Sequence, residues 1–286
     1  MAHVLNPQAE GLLDQEFKCL NAGFVRLIDY MGGDESIVQA ARVSYGKGTK
    51  TVHEDRGLIR YLMRHQHTTP FEMVEMKFHV KLPIFVARQW IRHRTANVNE
   101  YSGRYSVMKD EFYVPEHKAI HFQSNRTKQG RSNVEVAPEL RQKMLDILLA
   151  SQRQMYGEYE QMLEADIARE LARINLPLSL YTEWYWKIDL HNLFHFLQLR
   201  MDTHAQYEIR VYAEAIAEIT RKVVPMAWEA FEDYVLKAEK FSRLELQIIA
   251  ERLDTQCISK EFLESKGFGK REAEEFLEKL QKFQSR

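Results

Sequence analysis

Residues 74–105 read V-E-M-K-F-H-V-K-L-P-I-F-V-A-R-Q-W-I-R-H-R-T-A-N-V-N-E-Y-S-G-R-Y, and they predict three elements in succession. Apolar and polar side chains alternate from Val74 to Leu82, which is the pattern of a strand with one buried face. Pro83 suits the first turn of a helix, and the apolar residues after it can seat one side of that helix. The Asn, Ser and Gly residues of 97–103 favour turns, so the helix must end before them. The stretch therefore predicts a strand, a helix and a polar loop.

Further strands and helices are predicted on both sides of this stretch. Residues 23–30 are apolar and precede a Gly-Gly turn, and residues 178–188 alternate between two faces, so both predict strands. Helical periodicity predicts helices over residues 54–65, 138–164, 167–175 and 206–235. The buried side of the longest helix is predicted to consist of Leu140, Met144, Leu148, Met155, Tyr159 and Met162. Because strands and helices do not follow in regular βαβ order, we expect an α+β fold, an antiparallel-type sheet packed with several long helices.

The pattern divides the chain into three predicted parts. Residues 1–20 have no firm pattern and are expected to form a leader, residues 21–236 the main domain, and residues 237–286 a C-terminal helical extension that packs on the rest. Residues 123–133 are polar and basic without one apolar side chain, which indicates a mobile surface loop or a flexible lid.

The composition is that of an ordinary soluble protein, since 286 residues with 45% hydrophobic and 28% charged side chains can enclose a sizeable core. A formal net charge of −1 argues against a general nucleic-acid-coating protein, which would be basic overall. Two cysteines, Cys19 and Cys257, allow neither a disulfide framework nor a cysteine metal cluster. The N-terminus has no secretory apolar region, and no apolar run is long enough to span a bilayer. We therefore expect a cytoplasmic protein that binds neither membranes nor nucleic acid.

Residues 88–104 concentrate positive charge, with four arginines against one acid, Glu100. Arginines at a helix end are often solvated or compensate the helix dipole, so the cluster alone does not identify a site. A polar loop that ends in Arg104 follows them, and this arrangement suits a phosphate and a heterocycle, because guanidinium groups make paired, charge-assisted hydrogen bonds to phosphate. An RNA-binding module built on the Arg88–Arg104 segment is an alternative interpretation.

His191 and His195 lie four residues apart on a predicted helix and share one face, as a helical zinc pair does. A zinc-dependent hydrolase is therefore a second alternative. It lacks an obvious third ligand, because His204 lies nine residues beyond His195. His65 and His67 have neither a cysteine nor an acidic triad near them, so the preferred interpretation contains no bound metal.

Four segments resemble the flavin-dependent thymidylate synthases. Arg92-His93-Arg94, followed after seven residues by Ser102 and then Gly103-Arg104-Tyr105, is similar to the signature of that family. The segments H-x-T-P-F-E at 67–72, A-R-x-x-L-P at 172–177 and R-x-D-x-H-A-Q at 200–206 are similar to three further family segments. The resemblance extends over residues 22–235, so residues 21–236 are interpreted as the catalytic domain.

The resemblance implies an enzyme that converts dUMP to dTMP. Methylenetetrahydrofolate would supply the carbon, and FAD reduced by NADPH would supply the hydride. A homotetramer with active sites between subunits is also implied. Neither cysteine is expected to be catalytic, because a reactive thiol needs a cationic pocket and neither cysteine neighbours the arginine-rich segment.

The resemblance further implies residue roles. Arg200 is implied as the catalytic cation beside the pyrimidine, where a fixed positive charge stabilises the anion that develops on the ring. The implied dUMP-binding residues are Arg88, Gln89, Trp90, Ile91, Arg92, Glu100, Tyr101, Ser102, Gly103, Arg104, Arg173 and Arg200. The implied FAD-binding residues are Ser44, His67, Thr69, Glu72, Arg92, His93, Arg94, Glu100, Asp189, Leu190, His191 and His195. Positions 189 and 191 often carry asparagine and arginine in other members of the family.

Overall fold

The computed structural model of the protein describes residues 5–43, 52–125, 128, 130–252 and 258–284. In this part of the chain, none of the helices combines the length and the apolar character needed to traverse a bilayer. Ser44 and Cys257, both named above, lie outside the described residues.

The strands belong to an antiparallel sheet and a separate hairpin. They are β1 (Glu16–Cys19), β2 (Gly23–Met31), β3 (Glu75–Pro83), β4 (Asn97–Glu100), β5 (His121–Gln123), β6 (Arg131–Glu135) and β7 (Tyr181–Asp189). The sheet has the spatial order β1-β2-β3-β7-β4, with antiparallel pairing at each step, and β5 pairs with β6. The predicted α+β class is confirmed, because this antiparallel sheet is accompanied by many helices.

The helices occupy most of the remaining described chain. They are α1 (Pro7–Glu10), α2 (Asp34–Val43), α3 (Val52–Arg64), α4 (Ile84–Trp90), α5 (Pro138–Glu164), α6 (Arg169–Ala172), α7 (Leu190–Arg200), α8 (Tyr207–Val223), α9 (Pro225–Phe231), α10 (Arg243–Arg252), α11 (Lys260–Ser265) and α12 (Lys270–Gln284). A 3₁₀ turn over Thr69–Met73 precedes β3, another over Arg173–Asn175 follows α6, and a π turn over Glu232–Leu236 follows α9.

The three predicted strands are confirmed as β2, β3 and β7, the first from its apolar character and the other two from alternation. The sequence analysis missed β4, an edge strand that pairs only with β7. All four residues of β4 are exposed, so no apolar alternation could reveal it. Residues 16–19, assigned to an unpatterned leader, form the other edge strand, β1. Residues 123–133 do not form a continuous loop as predicted, because their first residue ends β5 and their last three lie in β6.

Two helix predictions need correction. The long helix α5 has the predicted bounds, and its buried side is predicted only in part. Tyr159 is fully buried as expected, whereas Leu140 is 48% exposed and the unpredicted residues Leu145, Gln152 and Tyr156 are buried. The helix predicted over 206–235 is interrupted at Val224, whose backbone is not helical, and α9 begins at Pro225. A proline ring clashes with the preceding helical turn and disfavours helical geometry at the residue before it.

The chain forms two compact units. The first contains Met1–Ala41 and Thr69–Pro225, and the second contains Arg42–Thr68 and Met226–Arg286. The predicted domain bounds at residues 20 and 236 stay a prediction, because a compact packing unit and a functional domain need not coincide.

The core of the first unit is aromatic and centres on Trp90, the last residue of α4. Trp90 is fully buried, and its ring centroid lies 4.7 Å from that of Phe196 on α7 and 5.1 Å from that of Trp186 on β7. Tyr212 on α8 contacts the same ring at 6.0 Å. Aromatic pairs at such distances stabilise a fold by about 0.5–1.5 kcal/mol each beyond the area that they bury. Trp90 therefore joins one strand and three helices at a single point.

Gly23 allows α8 to approach the sheet closely. The hydroxyl of Tyr212 donates to the backbone carbonyl of Lys81 at 2.9 Å, directly beside Gly23. A Cβ at Gly23 would lie 2.7 Å from that carbonyl oxygen and would collide with the Tyr212 hydroxyl. The absence of a side chain at this position therefore permits the close contact between α8 and β3.

The second unit is organised by Arg60 on α3. The guanidinium of Arg60 contacts Asp233 at 2.6 Å, Glu229 at 2.9 Å and Glu272 on α12 at 3.0 Å. It also lies 4.9 Å from the ring centroid of Tyr234, whose hydroxyl donates to Glu272. The side chains of Arg60 and Glu272 are each only 11% exposed, so this is a buried ion pair with several partners. It ties part of the C-terminal extension to α3.

A second ionic contact lies next to it. Glu275 on α12 accepts hydrogen bonds from Arg64 at 2.8 Å and from His65 at 3.0 Å. The hydrogen bond from Arg64 is the main cause that lowers the pKa of Glu275 to about 2, so Glu275 is ionised at neutral pH. The guanidinium of Arg271 lies 4.3 Å from the centroid of the Tyr61 ring on α3. The end of α3 is thus bound to α12 by charge and by cation–π contact.

We expect Arg60→Ala to lower the free energy of unfolding by about 3–5 kcal/mol, because it leaves Glu272 buried without its cation. Urea unfolding followed by circular dichroism measures the loss. The matched control is Lys260→Ala in the same unit, which removes an exposed pair with Glu274 and should change the free energy of unfolding far less, because solvent screens a surface pair. Equal losses for the two variants would mean that the Arg60 contacts are no stronger than a surface pair.

Candidate active site

Arg200, at the C-terminal end of α7, is the most unusual charge of the first unit. Its Nε donates to Nε2 of His93 at 3.0 Å, and its Nη2 donates to the backbone carbonyl of Gln89 at 3.4 Å. The side chain is half-buried, and burial lowers the pKa of its guanidinium from the ordinary value. Within the described residues no carboxylate pairs with it. A desolvated cation without a counterion is costly, which is typical of a site that receives an anion or a partial negative charge.

His93 provides a neutral partner for that cation. Burial, together with the charges of Arg200 and His195, lowers the pKa of His93 from 6.5 to about 4. The imidazole is therefore neutral at pH 7, and its Nε2 must be the acceptor because Arg200 can only donate. Phe196 packs against the same ring with centroids 4.9 Å apart. His93 thus orients Arg200 without neutralising its charge.

A chain of polar side chains leads from Gln89 into the interior. Nε2 of Gln89 donates to Oε1 of Gln206, and Nε2 of Gln206 donates to Oε2 of Glu208 at 2.8 Å. Oε1 of Glu208 accepts from the hydroxyl of Tyr113 at 2.8 Å and from Arg131 on β6. Glu208 is only 2% exposed. Glu208 was not predicted as a site residue, although an acid beside the apolar stripe of a predicted helix was an available signal.

A second group of predicted substrate residues meets around Gly103. A Cβ at Gly103 would lie 2.7 Å from Sδ of Met108 and 3.1 Å from Cδ of Arg173, so any other residue there would have to displace one of these side chains. Arg104 makes an exposed ion pair with Glu170 at 3.0 Å. The structure therefore brings Arg173 to the 102–104 turn across 70 residues of sequence. In the described residues no hydrogen bond or ion pair joins this group to the Arg200 group.

Some of the predicted flavin residues lie at or near the start of α7. Asp189 caps that helix by accepting from the backbone N–H of Asn192 at 3.0 Å. The turn that carries Thr69 and Glu72 lies against α7 through Phe71 and Phe194, whose rings are 6.5 Å apart. Because the carboxylate of Asp189 already caps the N-terminus of α7, that helix end does not favour an anionic ligand, and the positive groups that bind one must come from other residues. His67 belongs to the second unit, and Ser44 lies outside the described residues.

Several arginines that were predicted to bind a ligand form no ion pair with a carboxylate in the described part of the chain. Within residues 52–125 and 130–252, Arg88, Arg92 and Arg94 are exposed and pair with no acid. Arg173 is half-buried and also unpaired there. By contrast, Arg56, Arg60 and Arg64 are all bound by glutamates. The unpaired arginines are thus available to a ligand.

The remaining predicted substrate residues differ in accessibility. The Trp90 side chain is buried in the core, which leaves only its backbone for a ligand, whereas Ile91 is 51% exposed. Tyr101 donates to the carbonyl of Val107 at 2.8 Å, and Glu100 accepts from Thr182 at 2.8 Å. The binding roles of these residues stay predictions.

The zinc interpretation finds no geometric support. The rings of His191 and His195 lie 4.4 Å apart, as their spacing on α7 requires. The described part of the chain contains no group of three histidine, cysteine or acidic side chains that could hold a metal ion.

We expect His93 to stay neutral from pH 8 down to about pH 5, which NMR titration of its imidazole protons would measure. Because its pKa is depressed, the stability that it contributes is complete above pH 6.5 and is lost as the pH falls from 6.5 towards 4. Arg200→Gln should raise the pKa of His93 but leave it below 6.5, since burial is the larger cause. Titration of the folded wild-type imidazole near pH 6.5 would contradict this assignment.

Comparison with known proteins gives a consistent result. The family model of the thymidylate synthase complementing proteins matches residues 26–226. A flavin-dependent thymidylate synthase of Treponema denticola is 60% identical over 237 residues, which cover 83% of this chain and 89% of that protein. One from Ehrlichia ruminantium (strain Gardel) is 53% identical over 277 residues, which cover 97% of this chain and 92% of that protein.

A solved structure has the same fold. The crystal structure of the UMP/dUMP methylase PolB from Streptomyces cacaoi, bound with 5-Br dUMP, superposes with a TM-score of 0.70 at 32% identity. The alignment covers 77% of this chain and 99% of that one. With a matching family model over most of its length and relatives at 53–60% identity, the chain belongs to the family of flavin-dependent thymidylate synthases.

Proposed function

We propose that the protein is a flavin-dependent thymidylate synthase that converts dUMP to dTMP. The observation that carries the proposal is the half-buried guanidinium of Arg200, which is held by a neutral histidine and a backbone carbonyl and lacks a carboxylate partner in the described chain. Such a cation is suited to a pyrimidine ring on which negative charge develops. Relatives with this name and a structural neighbour that methylates dUMP support the same assignment.

The proposed reaction transfers one carbon and one hydride. Methylenetetrahydrofolate gives its methylene carbon to carbon 5 of the uracil, and tetrahydrofolate and dTMP are the products. Bound FAD, reduced by NADPH, supplies the hydride that completes the methyl group. The residues of the chain bind and orient the reactants and hold charge at the ring.

The phosphate of dUMP is assigned to the group around Gly103. Arg173 is unpaired in the described chain, and Gly103 and Ser102 can present backbone N–H groups beside it. Arg104 can exchange its exposed partner Glu170 for the phosphate at little cost, because a surface pair is worth at most about 1 kcal/mol. This group therefore supplies the paired guanidinium contacts that a phosphate needs.

Arg200 is assigned to the uracil. Carbon 5 becomes nucleophilic when the ring gains anionic character, and a fixed guanidinium stabilises that charge where it develops. Its planar donors can also match the edge of the ring. His93 keeps the guanidinium in place and, being neutral, does not compete for it as a carboxylate would.

The residues at the start of α7 and in the 92–94 segment fit FAD. The pyrophosphate of the cofactor requires cations, and Arg92 and Arg94 are exposed and unpaired in the described chain. The polar edge of the flavin ring requires hydrogen-bonding partners. His93 and His195 can serve as neutral partners, since burial lowers the pKa of both imidazoles. Asp189 at the start of α7, and Thr69 and Glu72 in the turn that contacts α7 through Phe71, are further polar groups.

A cysteine nucleophile is disfavoured for this reaction. Cys19 is 1% exposed, and burial raises the pKa of its thiol to about 12. A catalytic thiolate needs a lowered pKa. Cys257 lies outside the described residues. We therefore propose hydride chemistry without a covalent bond between enzyme and substrate.

A homotetramer with shared active sites is part of the proposal. Apolar side chains that flank Arg173 are exposed, with Leu171 at 57%, Ile174 at 78% and Leu178 at 53%. A run of exposed apolar residues commonly marks a contact with another chain. Burial of this run against a second copy would carry Arg173 and the 102–104 turn to a neighbouring subunit.

We expect the purified protein to bind FAD close to one per chain and then to form dTMP from dUMP, methylenetetrahydrofolate and NADPH. Flavin absorbance and product analysis measure the two steps. Omission of any one reactant should abolish dTMP formation. A colourless protein that ignores added FAD and retains zinc would overturn the proposal.

Arg200→Lys should reduce kcat by about 10²–10³-fold while weakening dUMP binding by less than about tenfold, because lysine keeps the charge and loses the planar fork. Steady-state kinetics and calorimetric dUMP titration separate the two effects. Arg153→Lys, an exposed arginine on α5, is the matched control and should change neither. If only the affinity for dUMP fell, Arg200 would be a binding residue without a catalytic role.

A further inference from the structure

The turn that ends α3 determines where His67 lies. α3 ends at Arg64, and Gln66 has the left-handed backbone conformation, with a φ of 57°. The backbone N–H of His67 donates to the carbonyl of Leu62 at 2.9 Å, and the N–H of Gln66 donates to that of Met63 at 3.2 Å. This pair of hydrogen bonds is the Schellman motif, in which the position of Gln66 is usually occupied by glycine. The backbone of His67 is therefore attached to the last turn of α3.

The C-terminal helix α12 holds this last turn. A residue with a Cβ is strained in the left-handed conformation, so such a turn persists where its surroundings support it. Glu275 on α12 accepts from Arg64 at 2.8 Å and from His65 at 3.0 Å, directly before Gln66. The hydrogen bond from Arg64 lowers the pKa of Glu275 to about 2, so both bonds end on an ionised carboxylate and are charge-assisted. The side chain of Glu275 is only 19% exposed, which limits their screening by solvent.

A second contact from α12 reaches His67 through an aromatic ring. The guanidinium of Arg271 lies 4.3 Å from the ring centroid of Tyr61 on α3. The centroid of Tyr61 lies 4.3 Å from that of His65 and 5.9 Å from that of His67. All these residues belong to the second unit. The imidazole of His67 is nevertheless exposed, so its position is supported while its surface remains accessible to a ligand.

We propose that Glu275 of the C-terminal extension is a positioning residue for FAD, because it holds the turn that presents His67 to the cofactor. The proposal rests on the proposed function, in which FAD is bound and His67 is one of the residues that contact it. α12 lies beyond residue 226, where the match to the family model ends, so it is an addition to the shared region. A side chain on a supported turn loses less conformational freedom when a ligand binds, and the ligand therefore binds more tightly. α12 thereby strengthens FAD binding through the end of α3.

The experiment measures the Kd for FAD by flavin fluorescence as the full-length protein is titrated. Glu275→Gln keeps the size of the side chain and removes its charge, and it should raise the Kd about tenfold. Glu274→Gln is the matched control, because it makes the same change at the next residue of α12, in an exposed pair with Lys260. The Kd of this control should stay within about twofold of the wild type.

A double-mutant cycle shows whether the effect passes through His67. His67→Ala should itself raise the Kd for FAD. Adding Glu275→Gln should then raise it by less than about twofold more, since the turn no longer presents an imidazole. An equally large rise in both backgrounds would overturn the proposal, because Glu275 would then act on the fold as a whole. An unchanged Kd in folded Glu275→Gln or in His67→Ala would also overturn it.

Arg271→Ala covers the case in which Glu275→Gln does not fold. The side chain of Arg271 is 71% exposed, so its removal leaves the core intact and takes away the contact with Tyr61. The Kd for FAD should rise about threefold, and by less in the His67→Ala background. An unchanged Kd would overturn the positioning role of α12 and leave the proposed function intact. A wild-type protein that bound no FAD would overturn the proposed function itself.

Discussion

The burial of Trp90 is the constraint on which the site depends. Its ring is enclosed by side chains from β7, α7 and α8, so α4 has one possible rotation about its axis. Successive helical residues are turned by about 100°, so Gln89 leaves the core on another side than Trp90. Gln89 meets Gln206 for this reason, and the turn after α4 brings His93 to Phe196 and Arg200. The buried side chain of Trp90 thereby sets the positions of neighbouring residues that are assigned to substrate binding.

Two buried or half-buried charges of the first unit are treated in opposite ways. Glu208 is surrounded by donors, including a guanidinium, and its negative charge is fully satisfied within the chain. Arg200 receives a neutral imidazole and a carbonyl, and its positive charge is not balanced in the described residues. The first arrangement stabilises a fixed geometry, whereas the second retains an electrostatic field for something that arrives later. The difference between them separates a charge that is satisfied within the fold from one that is available to a ligand.

The sequence revealed the parts of the fold that repeat with a fixed period. Alternation predicted β3 and β7, and helical periodicity gave the bounds of α5. It did not reveal β4, because an exposed edge strand carries no apolar face. The buried side of α5 was predicted only in part, with Tyr159 buried and Leu140 exposed, because several apolar residues could fill that role and only tertiary contacts decide among them. Pro225 was a signal in the sequence for the interruption of the helix predicted over 206–235, but the prediction followed the regular apolar stripe instead.

For the site, local motifs located residues but not their partners. The segments around Arg92 and Arg200 pointed to candidate residues, yet the hydrogen bond that joins His93 to Arg200 spans 107 residues and the one from Gln89 to Gln206 spans 117. The approach of Arg173 to Gly103 is likewise a product of packing. These two groups are not joined by a direct contact in the described chain, although a nucleotide must bind through its phosphate and its base at once. The exposed apolar residues beside Arg173 agree with the proposal that a second copy completes the site, because their burial between two chains would supply free energy for association.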